Sequence, residues 1–345
     1  MVPRLDLLAG SICIALACGA SKVESQEIGN SKRPSAIELE PSLTSRRAPV
    51  ITAVAIQPGG AQIATAGDDH LVRLWDPATA DQLSVLRGHR DWVRAAAYSP
   101  DGRMLTTVGD DRQVIAWDVQ TGDRHVRFPT ASHALYGIAH SPDGELIATV
   151  GFAPQIEIYA TATGKRLVSI ETSCDQLRCI SFSPIRNQLA AAGHCGKVVV
   201  CDVAAKKVDF EIQTSLKRVR AAIYSSDGSQ LVTAGEGTAI ELWDAATGRS
   251  IEKFSSNPGK IHSLVYCGND QIASGGSDNL IRIWDLRQRA EVRQLRGHLG
   301  SVASLAFDST AHLLVSGGFD TAVRTWRIDE AERRETATLD KVETR

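Results

Sequence analysis

GHLGSVASLAFDSTAHLLVSGGFDTAVRTW, residues 297–326, is the stretch of sequence that decides the fold. It begins with Gly-His, continues through an alternating apolar run that starts at Val302, turns, and enters a second apolar run that ends in Ser-Gly-Gly. Asp320 then precedes a third run, which closes on Trp326. Apolar and polar side chains that alternate between turn residues are typical of β-strands with one buried face. The stretch therefore predicts three successive β-strands.

The same unit recurs along the chain at a nearly constant interval. Its final aromatic position is occupied in turn by Trp75, Trp117, Tyr159, Cys201, Trp243, Trp284 and Trp326. Successive members of this series are 42, 42, 42, 42, 41 and 42 residues apart. A period of about 40–45 residues with Gly-His and Trp-Asp signatures is typical of propeller blades. Seven units therefore predict seven blades.

These residues resemble the repeats of the WD-repeat family, and the resemblance extends from about Ala48 to Ile328. It implies an all-β fold, a closed seven-bladed β-propeller of four-stranded antiparallel blades. In each repeat, three inner strands are followed by an outer strand that leads into the next repeat. Members of this family typically serve as platforms for protein–protein interaction. The resemblance therefore also implies a non-enzymatic scaffold.

The composition is that of an ordinary soluble globular protein, with 23% charged and 43% hydrophobic residues among 345. A formal net charge of −2 argues against general affinity for nucleic acid, so we expect no nucleic-acid partner. Seven cysteines are too few for a disulfide scaffold. The sequence shows no Cys/His spacing of a zinc site and no phosphate-binding glycine loop. It therefore predicts no metal, no cofactor and no catalytic residue.

The first residues have the pattern of a cleavable secretory signal. Arg4 precedes an apolar run from Leu7 to Ala17, and Ala15-Leu16-Ala17 before Cys18 fits an A-x-A cleavage site. We therefore expect residues 1–20 to be a leader. The mature chain would then be exported to the periplasm, the envelope or the extracellular space, without a transmembrane span. Lipidation of Cys18 is one alternative, and a cytoplasmic scaffold in which these residues are no signal is another.

Residues 21–47 have the polar composition of a linker with one strand-like portion. Apolar and charged residues alternate in Ile37-Glu38-Leu39-Glu40 until Pro41 ends the run. The propeller domain, residues 48–328, ends with a repeat that has only three strand signals, and residues 329–345 form a charged tail. Because an open ring would leave an exposed strand edge, we expect residues 37–39 to pair as the outer strand of the last blade.

Two repeats carry the full set of polar residues that the family shares. These structural tetrads are His89, Thr107, Asp111 and Trp117 in the second repeat, and His298, Ser316, Asp320 and Trp326 in the seventh. A histidine with a hydroxyl and a carboxylate also suggests nucleophilic catalysis, and a propeller enzyme that uses the central cavity is the competing hypothesis. The structural interpretation is favoured because an indole N–H, a hydroxyl and an imidazole buried between strands need hydrogen-bond partners.

The fourth repeat departs from the family pattern. Ala191, Cys195 and Cys201 occupy the Ser, Asp and Trp positions, and Cys174 lies just after the position of the histidine. The His and Asp positions are neighbours in regular blades, so the resemblance places the sulfurs of Cys174 and Cys195 near one another. They either form a disulfide in place of the missing polar set or remain two free thiols.

The resemblance also places three positions of every repeat around the mouth of the central channel, on the face that bears the Gly-His loops. One follows the apolar anchor of each first strand, one lies two residues earlier, and one precedes the turn Asp or its equivalent. Arginine and aromatic residues, which are enriched in binding hot spots, recur at these positions. The predicted partner-binding residues are Trp92, Arg94, Tyr136, Arg178, Arg218, Arg220, Lys260 and His262.

We expect these eight residues to form a basic face that binds an unidentified protein or an acidic peptide. Asp68 and Asp110 are expected on the opposite arc, which would polarise the rim. The competing interpretation is an ordinary solvated rim with internal salt bridges, from Arg94 to Asp110 and from Arg220 to Glu236.

Overall fold

The computed structural model describes residues 35–38, 48–237, 239–255, 259–268 and 270–328. Within these ranges, 28 strands form seven four-stranded antiparallel sheets. The sheets are the seven blades of a β-propeller, so the predicted fold class is confirmed. The described ranges contain no helix that is long and apolar enough to span a membrane.

The first strand of the chain, β1 (Ser35–Glu38), belongs to the last blade, and the other strands follow in chain order. Blade 1 contains β2 (Ile51–Ile56), β3 (Ile63–Gly67), β4 (Leu71–Trp75) and β5 (Gln82–Arg87). Blade 2 contains β6 (Val93–Tyr98), β7 (Met104–Gly109), β8 (Val114–Asp118) and β9 (Arg124–Arg127). Blade 3 contains β10 (Leu135–His140), β11 (Leu146–Gly151), β12 (Gln155–Ala160) and β13 (Arg166–Glu171). Blade 4 contains β14 (Leu177–Phe182), β15 (Gln188–Gly193), β16 (Lys197–Asp202) and β17 (Lys207–Gln213).

The remaining three blades continue this order. Blade 5 contains β18 (Arg218–Tyr224), β19 (Gln230–Glu236), β20 (Ala239–Asp244) and β21 (Ser250–Ser255). Blade 6 contains β22 (Ile261–Tyr266), β23 (Gln271–Gly276), β24 (Ile281–Asp285) and β25 (Ala290–Leu295). Blade 7 contains β26 (Val302–Asp308), β27 (Leu313–Gly318), β28 (Ala322–Arg327) and, as its outer strand, β1.

The outer strand of blade 7 comes from the other end of the domain. β1 pairs antiparallel with β28, with Ala36 opposite Arg324 and Ile37 opposite Val323. The strand begins two residues before the predicted segment of residues 37–39, and Leu39 lies outside the described residues. Because β28 would otherwise present an unpaired edge, this pairing completes the last sheet. The predicted leader, the rest of the linker and the charged tail also lie outside the described residues.

The core is divided into seven apolar clusters, and each cluster fills the contact between two neighbouring blades. The cluster between blades 7 and 1 joins Val315 and Val323 to Ile51 and Trp75. Burial of one such side chain stabilises the fold by about 1.5–3 kcal/mol relative to exposure. Packing therefore closes the ring between its last and first blades, in addition to the pairing of β1.

Glycine at the end of the second strand of a blade brings two rim positions together. A Cβ atom on Gly109 would lie 2.2 Å from the carbonyl oxygen of Trp92. The backbone N–H of Asp110 donates to that same carbonyl at 2.9 Å. The equivalent Gly318 makes the corresponding close approach to Ser301. The fold thereby holds the residue before the first strand beside the residue after the second strand, at the mouth of the blade.

Candidate functional site

In blade 2, the four tetrad side chains form one buried chain of hydrogen bonds. His89 Nδ1 is 2.8 Å from Asp111 Oδ2, and His89 Nε2 is 2.8 Å from Thr107 Oγ1. Trp117 Nε1 donates to the same hydroxyl at 2.9 Å. The side chain of His89 is 0% exposed and that of Asp111 is 4% exposed. This geometry links the Gly-His loop to the turn and to two strands, and it keeps the imidazole away from solvent.

Blade 7 repeats the arrangement. His298 Nδ1 is 2.9 Å from Asp320 Oδ2, and His298 Nε2 is 2.8 Å from Ser316 Oγ, which also accepts the Trp326 indole N–H at 2.9 Å. Burial by itself would raise the pKa of Asp320. Hydrogen bonds from His298 and from the backbone N–H of Leu299 outweigh burial and hold that pKa below its usual value. The carboxylate is therefore ionised and accepts a hydrogen bond from the Nδ1–H of His298.

Blade 4 has a covalent bond where blades 2 and 7 have the His–Asp pair. The sulfurs of Cys174 and Cys195 form a disulfide, and their Cα atoms lie 5.5 Å apart, within the usual disulfide range. The bond joins the loop before β14 to the turn after β15. Cys201, at the position of the tryptophan, is buried as a free thiol in the core between blades 3 and 4.

A stack of aromatic and guanidinium groups runs along the rim from blade 2 to blade 4. Arg94 forms two hydrogen bonds with Asp110, one of them from Nε to Oδ1 at 2.9 Å. Its guanidinium carbon lies 4.6 Å from the ring centroid of Trp92 and 5.8 Å from that of Tyr136. The guanidinium carbon of Arg178 lies 3.8 Å from the centroid of Tyr136. Each cation–π contact contributes about 0.5–1 kcal/mol at an exposed site, so the four side chains hold one another in place.

The carboxylate of Glu236 lies close to three basic side chains of blades 5 and 6. Arg220 donates to Glu236 Oε1 at 2.5 Å, while a nitrogen of Arg218 lies 3.6 Å and Lys260 Nζ 3.8 Å from the same oxygen. The hydrogen bond from Arg220 is the main cause that lowers the pKa of Glu236, and the charges of Lys260 and Arg218 act in the same direction. One carboxylate is therefore shared by three cations, which leaves a local excess of positive charge.

The two rim histidines do not add to that charge at neutral pH. Burial, followed by the charges of Arg220 and Lys260, lowers the pKa of His262 to about 4. Burial and the charges of Arg218 and Arg178 likewise lower the pKa of His194. His262 was expected to belong to the basic face, and the structure makes it a neutral member. Among the described residues, no group of three or more His, Cys, Asp or Glu side chains could hold a metal ion.

Arg178 differs from the other arginines of the rim because it has no carboxylate partner in the described part of the chain. Its Nε atom is buried there without a hydrogen-bond acceptor. Burial, and then the charges of Arg220 and Arg94, lower the pKa of its guanidinium. The position that holds Asp110 in blade 2 and Glu236 in blade 5 holds His194 in blade 4. Arg178 is thus a half-buried cation among other cations.

The expected division of the rim into a basic and an acidic arc is wrong. Asp110 pairs with Arg94 inside the stack, and Glu236 lies among the bases of blades 5 and 6. Both internal salt bridges of the competing interpretation are therefore present. The cause is the close approach described for Gly109, which places the acidic residue of a blade beside the arginine of the same blade.

Large apolar side chains stand exposed at the same end of the propeller. Phe152 and Phe319, which precede the turn position in blades 3 and 7, are each 50% exposed, and Leu299 is 87% exposed. Leu299 lies at none of the three rim positions that the repeat motif defines. It follows the histidine of the Gly-His loop in blade 7, where blade 2 has Arg90, and this contrast between equivalent positions is the signal that identifies it.

Comparison with protein families supports the repeat assignment. The family model described as WD domain, G-beta repeat, matches residues 39–76, 80–118, 248–285 and 289–327. These segments end at the last inner strands of blades 1, 2, 6 and 7. Blades 3 and 4 and the three inner strands of blade 5 fall outside the matched segments. Blades 3 and 4 carry Tyr159 and Cys201 in place of the final tryptophan, whereas blade 5 retains Trp243.

Relatives of the chain are similar over short segments. The chain is 31% identical over 91 residues to the p21-activated protein kinase-interacting protein 1-like of Danio rerio, covering 26% of this chain and 25% of that protein. It is 32% identical over 87 residues to the U3 small nucleolar RNA-associated protein 21 homolog of Schizosaccharomyces pombe (25% and 10%). It is 29% identical over 96 residues to the U5 small nuclear ribonucleoprotein 40 kDa protein of Dictyostelium discoideum (27% and 27%). The aligned segment thus spans no more than 27% of the length of these three relatives.

These relatives correct the expected location of the protein. Their names place two of them in nucleolar and nuclear RNA particles, inside the cell, so the prediction of export is wrong. The length of the apolar run Leu7–Ala17 suits a signal sequence and a buried segment equally, so the pattern alone could not establish export. The same names associate these proteins with RNA, and the expected exclusion of nucleic acid is therefore not upheld. Cys18, the alternative site of a lipid anchor, lies outside the described residues.

Proposed function

Since the chain is a WD-repeat β-propeller protein, we propose that it is a non-enzymatic intracellular scaffold that binds an acidic segment of a protein partner. The proposed binding rim consists of the partner-binding residues predicted from the sequence. These are Trp92, Arg94, Tyr136, Arg178, Arg218, Arg220, Lys260 and His262.

The main support for this proposal is the environment of Arg178, a half-buried cation without a carboxylate partner among the described residues. Its guanidinium is half-buried against Tyr136, its Nε atom lacks an acceptor within the described residues, and Arg94 and Arg220 lower its pKa. A carboxylate or phosphate from a partner would pair with this guanidinium and offset the repulsion among the three arginines. A hydrogen bond to a charged group contributes about 1.5–3 kcal/mol, so Arg178 is the proposed centre of binding.

Aromatic side chains in the same stack add apolar contact area to the charge of Arg178. Trp92 and Tyr136 are held in position by the guanidinium of Arg94, and Phe152 stands half-exposed in the same blade as Tyr136. Aromatic and arginine side chains dominate binding hot spots because they combine contact area with directed hydrogen bonds. The contact would therefore be selective as well as electrostatic.

The relatives support the class of partner. One is named for interaction with a protein kinase, and others are named as parts of RNA-associated assemblies. The burial of His89 and His298 within their tetrads supports a role without catalysis, because neither imidazole is accessible to a substrate. We therefore propose protein binding as the function, with RNA as an outcome that the experiment must separate.

The test is quantitative affinity purification of the tagged, full-length protein from cells, with and without ribonuclease treatment. Arg178→Ala should reduce the recovery of the principal protein partner by about tenfold, and Trp92→Ala should reduce it by a comparable factor. Arg186→Ala is the matched control, because Arg186 is an exposed arginine in the loop that leaves the other end of β14. Unchanged recovery with Arg178→Ala, or recovery abolished by ribonuclease, would overturn the proposal.

A further inference from the structure

A groove of about 670 Å³ lies along the outer strand of blade 2, and none of its lining residues belongs to the binding rim. Strand β9 forms one side of it, and Arg90 of the Gly-His loop and Gln113 contribute to the lining. Three arginines and His125 line the groove, and its lining contains no carboxylate. We propose that this groove is a second binding site, which takes an extended acidic peptide from a protein partner as a fifth strand of blade 2.

A β-bulge directs two of the arginines to the same side of the sheet. Arg124 pairs with Trp117 and Arg127 pairs with Ile115, with a register shift between Ala116 and Trp117. Paired residues point to the same face of a sheet, and Ile115 and Trp117 share a face because they are two residues apart. Arg124 and Arg127 therefore share that face although they are three residues apart. In agreement, the guanidinium of Arg124 lies 5.7 Å from the Trp117 ring centroid.

Three of the other blades show how a base at this place can be neutralised. Two residues before the final aromatic position, blade 3 has Glu157, which is 3.1 Å from Arg166 of its outer strand. Blade 5 has Glu241 at the same position, 3.6 Å from Lys253 of its outer strand.

Blade 6 shows the reverse arrangement of the same pair. Arg282 occupies that position and lies 3.0 Å from Glu291 of its outer strand. In blades 3, 5 and 6, therefore, the blade itself supplies both charges of the pair.

Blade 2 lacks the internal carboxylate. The equivalent position is Ile115, which is 3% exposed and carries no charge. Arg124 donates to the backbone oxygen of Gly88 at 3.0 Å, and within the described residues neither Arg127 nor Arg90 has a carboxylate at ion-pair distance. Blades 3, 5 and 6 thus supply an acidic group at this place. The described residues of blade 2 do not, and in our proposal a ligand provides it.

The backbone of β9 determines the shape of that ligand. β9 is the outermost strand of its sheet, so one row of its N–H and C=O groups is free to pair with an added strand. Among the described outer strands, β9 carries three basic residues in four and no acidic one. Asp91 and Asp123 are exposed nearby but outside the groove. Phe128, the aromatic residue in the lining, is buried against Tyr159 and offers no stacking platform for a base, which favours peptide over RNA.

The test uses fluorescence anisotropy of the full-length protein with a labelled short peptide of alternating glutamate and threonine. We expect the peptide to bind, the glutamine–threonine counterpart to bind at least about tenfold more weakly, and binding to weaken as NaCl rises from about 50 to about 300 mM. Arg127→Gln and Arg90→Gln, which change exposed side chains, should each reduce affinity by about fivefold.

Control variants separate this site from the binding rim. Arg186→Gln should leave affinity for the glutamate peptide unchanged, and Arg127→Gln should leave the partner of the rim bound. The proposal is overturned if Arg127→Gln and Arg90→Gln bind the peptide as tightly as the wild type. It is also overturned if Arg178→Ala removes binding, or if a labelled single-stranded RNA binds the groove more tightly than the peptide.

Discussion

Replacement of Thr107 by valine tests the four-residue chain of hydrogen bonds in blade 2. Valine has almost the same volume as threonine, so Thr107→Val creates no cavity at this fully buried position. The change removes the one hydroxyl that accepts the Trp117 indole N–H and lies 2.8 Å from His89 Nε2. Both of these groups then remain buried without a partner.

The expected cost follows from counting those groups. A buried polar group that loses its partner destabilises the fold by about 1–3 kcal/mol, so Thr107→Val, which leaves two such groups, should cost about 2–6 kcal/mol. Blade 5 provides a matched control, because Thr233 is equally buried and accepts the Trp243 indole N–H at 3.0 Å without a tetrad histidine bonded to it. Thr233→Val should therefore cost about 1–3 kcal/mol, roughly half as much.

The measurement is urea unfolding at neutral pH, followed by circular dichroism and by tryptophan fluorescence. The midpoint should fall further for Thr107→Val than for Thr233→Val, with an unchanged slope. Equal shifts for the two variants would show that His89 gains nothing from the hydroxyl. The tetrad would then consist of independent pairs, and the account of its structural role would be refuted.

Three further predictions concern closure, the cysteine pair and pH. Removal of residues 1–38 should cause self-association, detectable by light scattering, because β28 loses the strand that covers its edge; a shortened protein with the stability and mass of an intact monomer would contradict this. In protein unfolded without reductant, Cys174 and Cys195 should resist alkylation while Cys179 reacts, as judged by peptide mass mapping; labelling of both would rule out the bond. Burial lowers the pKa of His140 from 6.5 to about 4, so the unfolded chain binds a proton in this window that the folded chain does not. Stability should therefore fall as pH drops from about 6.5 to about 4, and His140→Gln should lessen the fall between pH 7 and pH 5; equal losses for both proteins would contradict it.

The blade count and the tetrad geometry could be predicted because a repeat places the same residue at the same point of the same local unit. Thr107 and Trp117 are partners for the same reason that Ser316 and Trp326 are, and the sequence displays both pairs at the same spacing. The proximity of Cys174 and Cys195 follows from the same equivalence of positions.

The distribution of charge on the rim was harder to predict, although part of the signal was present. Arg94 and Arg178 occupy equivalent positions, and their difference lies in the residue that the close-approach glycine brings beside each of them. That residue is Asp110 in blade 2 and His194 in blade 4. The sequence contains this contrast, but only the distances in the structure show that acidic and basic residues alternate on the rim and form no separate arcs.

The groove on blade 2 could not be predicted from alternation. A strict two-residue period places Arg124 and Arg127 on opposite faces of β9, and the bulge reverses that assignment. The polar link of blade 3 was missed for a related reason. There Tyr159 donates to Glu157, and Arg166 approaches the same carboxylate across the sheet, so the pattern differs from that of the regular tetrads.

The pairing of β1 with β28 gives the order of synthesis a role in folding. Ser35 pairs with Thr325, about 290 residues later, so β1 leaves the ribosome long before its partner exists. At translation rates of about 5–20 residues per second, the first strand waits roughly 15–60 s. Blades 1 to 6 can assemble in sequence during that interval, while the apolar face of blade 1 that receives blade 7, including Ile51 and Trp75, stays uncovered. A nascent chain of this protein should therefore depend on chaperones until its last blade is made.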